Sequence, residues 1–259
     1  MTGGTASWGI IGIGLLGATL VEGLYRSKAP LSLSLSPRGE SRIRALAAQF
    51  PIVVAPSNQA VVDGADHIVL ASRPDQLVEM ARALQFRSGQ VVVSVAAGLT
   101  QATVQAAIGS ATAVRAMPVL SAAIGDSPTP VFPANATAIK LFEHLGPVHA
   151  FDDEDAFSAA VVAATYYGWV YALMNTSARW LNRNGVATDT SRALIAQMTR
   201  AAANRSLSGG SDMGAMAEEI ARPGTYTGIG MDLLRERGAL DAWSDACQRV
   251  FDACRERER

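Results

Sequence analysis

The sequence predicts an α/β protein, with an N-terminal doubly wound sheet followed by an all-helical dimerisation domain. Two observations carry this. Short β-rich runs alternate with helical patterns through the first half, and from about Asp153 the strand signals stop and long helical patterns take over. Composition permits both halves: of 259 residues, 49% are apolar and 17% charged, enough for one large or two modest cores and against disorder. The boundary is expected near 152, with a sheet domain over 1–152 and a helical domain over 153–259.

Taken in order, Trp8 to Ile13 is a short apolar strand ending in glycines, and Ala18 to Arg26 has helical spacing. Leu31 to Leu35 alternates with period two, as a strand does. Glu40 to Phe50 is helical, with Ile43, Leu46, Ala47 and Phe50 at its apolar spacing. His67 to Ala71, Val91 to Val95 and Thr112 to Ala116 are further β-rich runs, separated by helical patterns from Gln76 and Thr100. Such alternation means βαβ units and a parallel sheet covered on both faces. In the second half, Asp155 to Asn184 is one pattern, long enough for about eight turns and stopped by Gly185. Ser191 to Ser208 and Met213 to Ala221 follow. A loop is expected over Arg222 to Gly228, then a last pair of helices over Met231 to Arg237 and Asp241 to the charged tail. This half is Ala-rich, which lets helices approach closely, and its long apolar faces point to a core completed by a second subunit.

Several function classes are disfavoured. The net charge is −1 with no basic stripe or polybasic run, so neither nucleic acid nor a membrane surface is an expected partner. Apolar stretches are interrupted before the roughly 20 residues that a membrane span needs. The polar start, Met1 to Ser7, argues against a signal peptide, so a cytoplasmic chain is expected. Cys247 and Cys254 are seven positions apart. Within one helix that puts their Cα atoms about 10 Å apart, too far for a disulfide. Burial as small hydrophobes is expected for them. His67, His144 and His149 show no metal-ligand spacing with each other or with the cysteines, so no metal site is expected.

The sharpest motif is Gly12-Ile13-Gly14-Leu15-Leu16-Gly17, directly after the first strand and opening the first helix. Gly12 permits the tight turn, Gly14 lets backbone approach a pyrophosphate, and Gly17 lets helix and strand pack closely. The helix N-terminus then offers free N–H groups to phosphates, as in a Rossmann dinucleotide site. Cofactor choice is read at the end of the second strand, where an NAD site carries Asp or Glu. This chain has Ser36-Pro37-Arg38 there, with Arg42 one turn on. A hydroxyl and a guanidinium suit a 2′-phosphate that a carboxylate would repel, so NADP(H) is the expected cofactor. The competing reading makes Arg38 a solvated surface residue.

Several segments in order resemble the pyrroline-5-carboxylate reductase family. Besides Gly12 to Gly17, Val69-Leu70-Ala71-Ser72-Arg73-Pro74 is similar to the family's "LAVKP", and Val92 to Gly98 (VVSVAAG) to its "VSIAAG". Val114-Arg115-Ala116-Met117-Pro118 is similar to "VRxMP", and Arg222 to Gly228 (RPGTYTG) to "SPGGTT". The resemblance implies a Rossmann domain joined to a helical domain that interlocks with its twin in a homodimer. It implies an active site between the nicotinamide and the helical domain, partly built by the second subunit. Hydride would pass from NADPH to the carbon of a cyclic C=N bond, most simply converting 1-pyrroline-5-carboxylate to proline. Ala71, Ser72, Arg73, Pro74, Ala96, Ala97, Gly98, Met117 and Pro118 end strands on the carboxyl edge, where the cofactor would lie.

Departures concentrate in the substrate half. After "VRAMP" the family continues Asn-Thr-Pro-Ala, and this chain has Val119-Leu120-Ser121-Ala122. The family's "SGSGPAY" is replaced by Ala163-Ala164-Thr165-Tyr166-Tyr167-Gly168-Trp169, in which only Thr165 keeps a hydroxyl where the second Ser falls. The "GGTT" loop becomes Gly224-Thr225-Tyr226-Thr227. In the family these segments surround the substrate and its carboxylate, so Thr165, Tyr166, Gly224, Thr225, Tyr226 and Thr227 are the candidate substrate residues. Thr227 is the candidate hydroxyl beside the reacting nitrogen, against a reading as a loop or N-cap residue. Tyr166, Tyr167 and Tyr226 are alternative donors, or packing residues.

Two other readings compete. One is an NADP-dependent reductase of another imine or a carbonyl, resembling β-hydroxyacid dehydrogenases and imine reductases. Those dehydrogenases use a helix lysine, whereas the last lysine here is Lys140. The other is a non-catalytic NADP-binding protein whose substrate pocket has been lost.

Overall fold

Eight strands form one sheet in the order β3-β2-β1-β4-β5-β6-β7-β8. The structure, a computed structural model, describes residues 6–210 and 212–258; most of the polar start read above lies outside them. The strands are β1 (Ala6–Ile11), β2 (Leu31–Leu35), β3 (Val53–Val54), β4 (His67–Leu70), β5 (Val91–Ser94), β6 (Thr112–Ala116), β7 (Thr129–Phe132) and β8 (Val148–Ala150). Helices α1 (Leu15–Arg26), α2 (Glu40–Ala47), α3 (Asn58–Gly64), α4 (Pro74–Arg82), α5 (Gln101–Ile108) and α6 (Ala136–Glu143) connect or follow them.

The central strands are buried on both faces, which is why they read as unbroken apolar runs rather than alternating ones. Because successive side chains point to opposite faces, neighbours along a strand serve different cores. Ile10, Val69, Val93 and Val114 pack with Leu20 of α1 and Phe142 of α6. Ile11, Ile68, Leu70 and Val92 pack with Val61 of α3 and Val104 of α5.

The sheet departs from the fully parallel expectation at one edge. β7 runs antiparallel to β6, pairing Arg115 with Phe132 and Ala116 with Val131, and β8 is parallel to β7. β3, α3, β7, α6 and β8 were not anticipated: the strands are two to four residues long, too short for periodicity, and β7 carries Pro130.

The helical half comprises α7 (Glu154–Arg183), α8 (Thr188–Ser208), α9 (Met213–Ile220), α10 (Tyr226–Glu236) and α11 (Ala239–Glu258). The loop expected over Arg222 to Gly228 is shorter than predicted. Thr225 is the N-cap of α10, its hydroxyl accepting the Gly228 N–H at 2.9 Å, so Tyr226, Thr227 and Gly228 are already helical.

The chain divides into two compact units, Met1–Ala164 with Phe251–Arg259, and Thr165–Val250. The division is not the clean cut expected at 152. The first turns of α7 belong to the sheet unit, where Phe157 and Val161 pack against Met117, and the last residues of α11 belong there too.

The second unit has almost no interior of its own. Among its described residues only Ser191, Ala221 and Gly228 are buried, while Trp180, Met198, Leu207 and Leu233 are exposed. By length and composition α7 is also apolar enough to cross a membrane, although its apolar stretches are interrupted. Its first turns are instead buried in the sheet unit, at Phe157, Ser158, Val161 and Val162.

Candidate cofactor site

The glycine motif builds a cradle at the carboxyl end of β1. Gly12 has φ +98°, and a Cβ there would lie 2.8 Å from the backbone of Ala71 and Ser72. A Cβ on Gly17 would lie 2.2 Å from the Gly12 carbonyl oxygen, so this glycine sets how closely α1 approaches the turn. Gly14 is different in kind. Its φ of −78° suits any residue, and a Cβ built on it meets nothing within 4 Å. Neither backbone strain nor internal packing requires glycine there. A ligand approaching the backbone would require it. Gly14 is also the N-cap of α1, which has no capping side chain and no acidic residue in its first turn, so the positive helix end faces the cradle uncompensated.

The cradle opens into a cleft of about 740 Å³, in the range of small-molecule sites. Gly12, Ile13, Gly14, Ser36, Arg38, Ala71, Ser72 and Arg73 of the expected cofactor residues line it. Three guanidiniums, from Arg38, Arg42 and Arg73, border it beside a single carboxylate, Glu79. This charge set and volume fit a phosphorylated dinucleotide. Ser36 also has a structural part. It is buried, and its Oγ accepts the Gly12 N–H at 3.0 Å, tying the end of β2 to the glycine turn. Gly39 is a further glycine that the cradle requires. At φ +106°, its Cβ position is 2.5 Å from the Ile13 carbonyl oxygen, so glycine lets the β2–α2 connection lie against the glycine turn. Asn58 and Gln76 also line the cleft, with no local motif to announce them.

Leu15, Leu16, Gly17, Pro37 and Pro74 do not line the cleft; they support it from α1, the β2–α2 connection and the first position of α4. Ala96, Ala97, Gly98, Met117 and Pro118 follow β5 and β6, further along the same carboxyl edge. Met117 is buried against Phe157 and Val161.

The candidate substrate residues lie in the helical unit. Gly224 turns the chain with φ +82°. Thr225 is committed to capping, its hydroxyl also donating to the Arg222 carbonyl at 2.8 Å. Tyr226 is exposed. Thr227, in the first turn of α10, is exposed too, and its hydroxyl makes no hydrogen bond among the described residues. Thr165 is half-buried. Tyr166 packs on Trp243 with ring centroids 5.5 Å apart, and Tyr167 shares a 2.9 Å hydrogen bond with Tyr171. Among the described residues no group of three or more His, Cys, Asp or Glu is placed to hold a metal. Cys247 and Cys254 are unbridged and half-buried, and burial pushes the Cys254 thiol up from its ordinary pKa.

Comparison with known proteins matches both halves separately. Residues 7–98 match the family described as NADP oxidoreductase coenzyme F420-dependent, and residues 154–257 match pyrroline-5-carboxylate reductase dimerisation. A pyrroline-5-carboxylate reductase of Methanosarcina acetivorans is 24% identical over 96% of each chain. Along nearly its whole length the chain is thus similar to pyrroline-5-carboxylate reductases. Its fold is that of solved pyrroline-5-carboxylate reductases. The enzyme from Streptococcus pyogenes superposes with a TM-score of 0.87 at 22% identity, covering 98% of this chain and 99% of that one. The Plasmodium falciparum pyrroline carboxylate reductase, solved with NADP bound, gives 0.88 at 17% identity and 99% coverage of both. The helical half of this chain therefore matches a dimerisation domain, and it contains the unit, Thr165–Val250, in which only three of the described residues are buried.

Proposed function

We propose that this protein is an NADPH-dependent reductase of a cyclic imine, acting on 1-pyrroline-5-carboxylate to form proline, as a homodimer or a larger assembly of dimers. The observation that supports it most is the Gly14 cradle, open to a cleft bordered by Arg38, Arg42 and Arg73. The pyrophosphate would sit on Gly12, Gly14 and the N-terminus of α1, and the 2′-phosphate between Arg38 and Arg42. NADPH, when bound, supplies the hydride, and the reaction adds one hydride and one proton across the C=N bond. Since β2 lies to one side of β1 and β4, β5 and β6 to the other, an adenosine end near Arg38 leaves the nicotinamide end for Ala96, Ala97, Gly98, Met117 and Pro118. There the strand ends would hold the ring and exclude water. An imine nitrogen is basic enough to need no strong protein acid. We assign the hydroxyl beside it to Thr227, whose side chain has no structural bond to break.

The test is NADPH oxidation followed at 340 nm with 1-pyrroline-5-carboxylate, beside NADH, other cyclic imines and a Thr227→Ala variant. Turnover that prefers NADPH and drops in Thr227→Ala supports the reading. NADPH binding without turnover on any imine removes it and leaves a cofactor-binding protein.

A further inference from the structure

The last turn of α11 is fastened to the sheet by buried charge. Arg115, near the end of β6, is 2% exposed, and its guanidinium bonds Glu154 at 2.6 Å and Glu258 at 2.7 Å while lying 4.6 Å over the Phe157 ring. Glu258 also accepts from the Ser158 hydroxyl at 3.0 Å, and Glu154 accepts the Gln101 N–H at 2.6 Å. One turn earlier, Arg255 pairs with Asp155. Removing the Glu258 carboxylate and the Arg115 guanidinium from water is costly unless they are partnered, so this set of bonds specifies where the tail lies. Its effect is to set Arg257 on Gly98: a Cβ built on that glycine would be 3.2 Å from both Cβ and Cδ of Arg257. Gly98 has φ +75° and follows β5, on the edge assigned above to the nicotinamide end. Arg257 itself is exposed and has no ion partner among the described residues.

We propose that Arg257 is a substrate-binding residue, presented by the Arg115–Glu258 clasp, and that it recognises the carboxylate of the imine. The inference rests on the proposed reaction. The anionic groups of the cofactor are accounted for elsewhere, the pyrophosphate at α1 and the 2′-phosphate at Arg38 and Arg42. The anion left to meet a guanidinium at the β5 end is the substrate's.

The experiment compares kcat/KM for 1-pyrroline-5-carboxylate with that for 1-pyrroline, the same ring without the carboxylate, at saturating NADPH. A charge-assisted hydrogen bond lost in Arg257→Ala lowers the first by about tenfold or more and leaves the second unchanged, with Arg257→Lys in between. Glu258→Gln, which releases the tail while Arg115 keeps Glu154, moves the ratio in the same direction through KM. Equal losses on both imines, or none on either, overturn the proposal while the reductase reading stands. A wild-type protein that turns over neither imine overturns the reductase reading and this proposal with it.

Discussion

The two halves of this chain solve opposite problems. The sheet half closes its own core on both faces, down to residues such as Val21, Val62, Leu77 and Phe142 that have no exposed surface at all. The helical half, beyond the first turns of α7, buries three residues among those described over Thr165–Val250 and leaves long apolar faces open. Consistently, the matched segment of the sheet half carries the glycine cradle and the recognisable cofactor chemistry, and the matched segment of the helical half is a dimerisation domain. A site built on a closed core can be read from one chain. A domain whose core needs a second chain cannot, and its chemistry is legible only as far as its local turns.

The largest test of that contrast is Gly14→Val. A Cβ there meets no atom beyond its chain neighbours within 4 Å, so the melting temperature should change little, while the cradle fills. NADPH affinity should fall about a hundredfold, near 2.7 kcal/mol, in a titration of nicotinamide fluorescence. Unchanged affinity would mean that Gly14 faces no ligand. Next in size are Arg38→Ala and Arg42→Ala. Each should weaken NADPH by about tenfold through loss of a charge-assisted bond and leave NADH untouched. Equal weakening of both cofactors would show that these guanidiniums do not meet a 2′-phosphate.

The same contrast explains what the sequence disclosed. β1, β2, β4, β5 and β6 were legible because each is a buried apolar or alternating run followed by a helix, and the glycine motif announced itself through spacing and context. β3, β7 and β8 were too short for any period. Arg38 and Ser36 both line the cleft that the sequence leads one to expect at the end of β2, and the part that could not be read is the second one Ser36 plays. Only the three-dimensional turn shows its hydroxyl oxygen accepting from Gly12. Arg115 was visible inside "VRAMP" as a motif letter, and its role was not, because its partner Glu258 lies 143 positions away. At the start of α10 the sequence offered three hydroxyls in one loop, and the structure separates them: Thr225 is used as the cap, whereas Thr227 remains free.

If the helical half completes its core with a second copy, stability must depend on chain concentration, because any equilibrium in which two chains fold together is shifted by mass action. Tenfold dilution should lower the melting temperature by about 1–2 °C, followed by circular dichroism alongside sedimentation. A melting temperature independent of concentration over two decades would show that one chain is stable alone and that the open apolar faces serve something else.

The smallest effect belongs wholly to the sheet half, at the edge opposite the cofactor site. His67 opens β4, packs 5.0 Å from the Trp8 ring, and accepts the Val91 N–H through Nδ1 at 3.2 Å. Burial holds its pKa below the ordinary value, against the opposing pull of the Asp66 carboxylate. The unfolded chain therefore takes up a proton at a higher pH than the folded chain does. Stability should decline as pH falls from about 6.5 toward the folded value, and be flat above it. Asp66 titrates in a separate window. The hydroxyl and N–H of Ser7 hold its pKa down, so its stabilisation is present above the ordinary carboxylate value and is lost only as pH falls through the lower folded one. His67→Asn keeps an acceptor for Val91 without a titrating ring, and should flatten the denaturation midpoint between pH 6.5 and 5. If the slope persists in that variant, the proton is taken up elsewhere, and the neutral imidazole at the start of β4 is not its source.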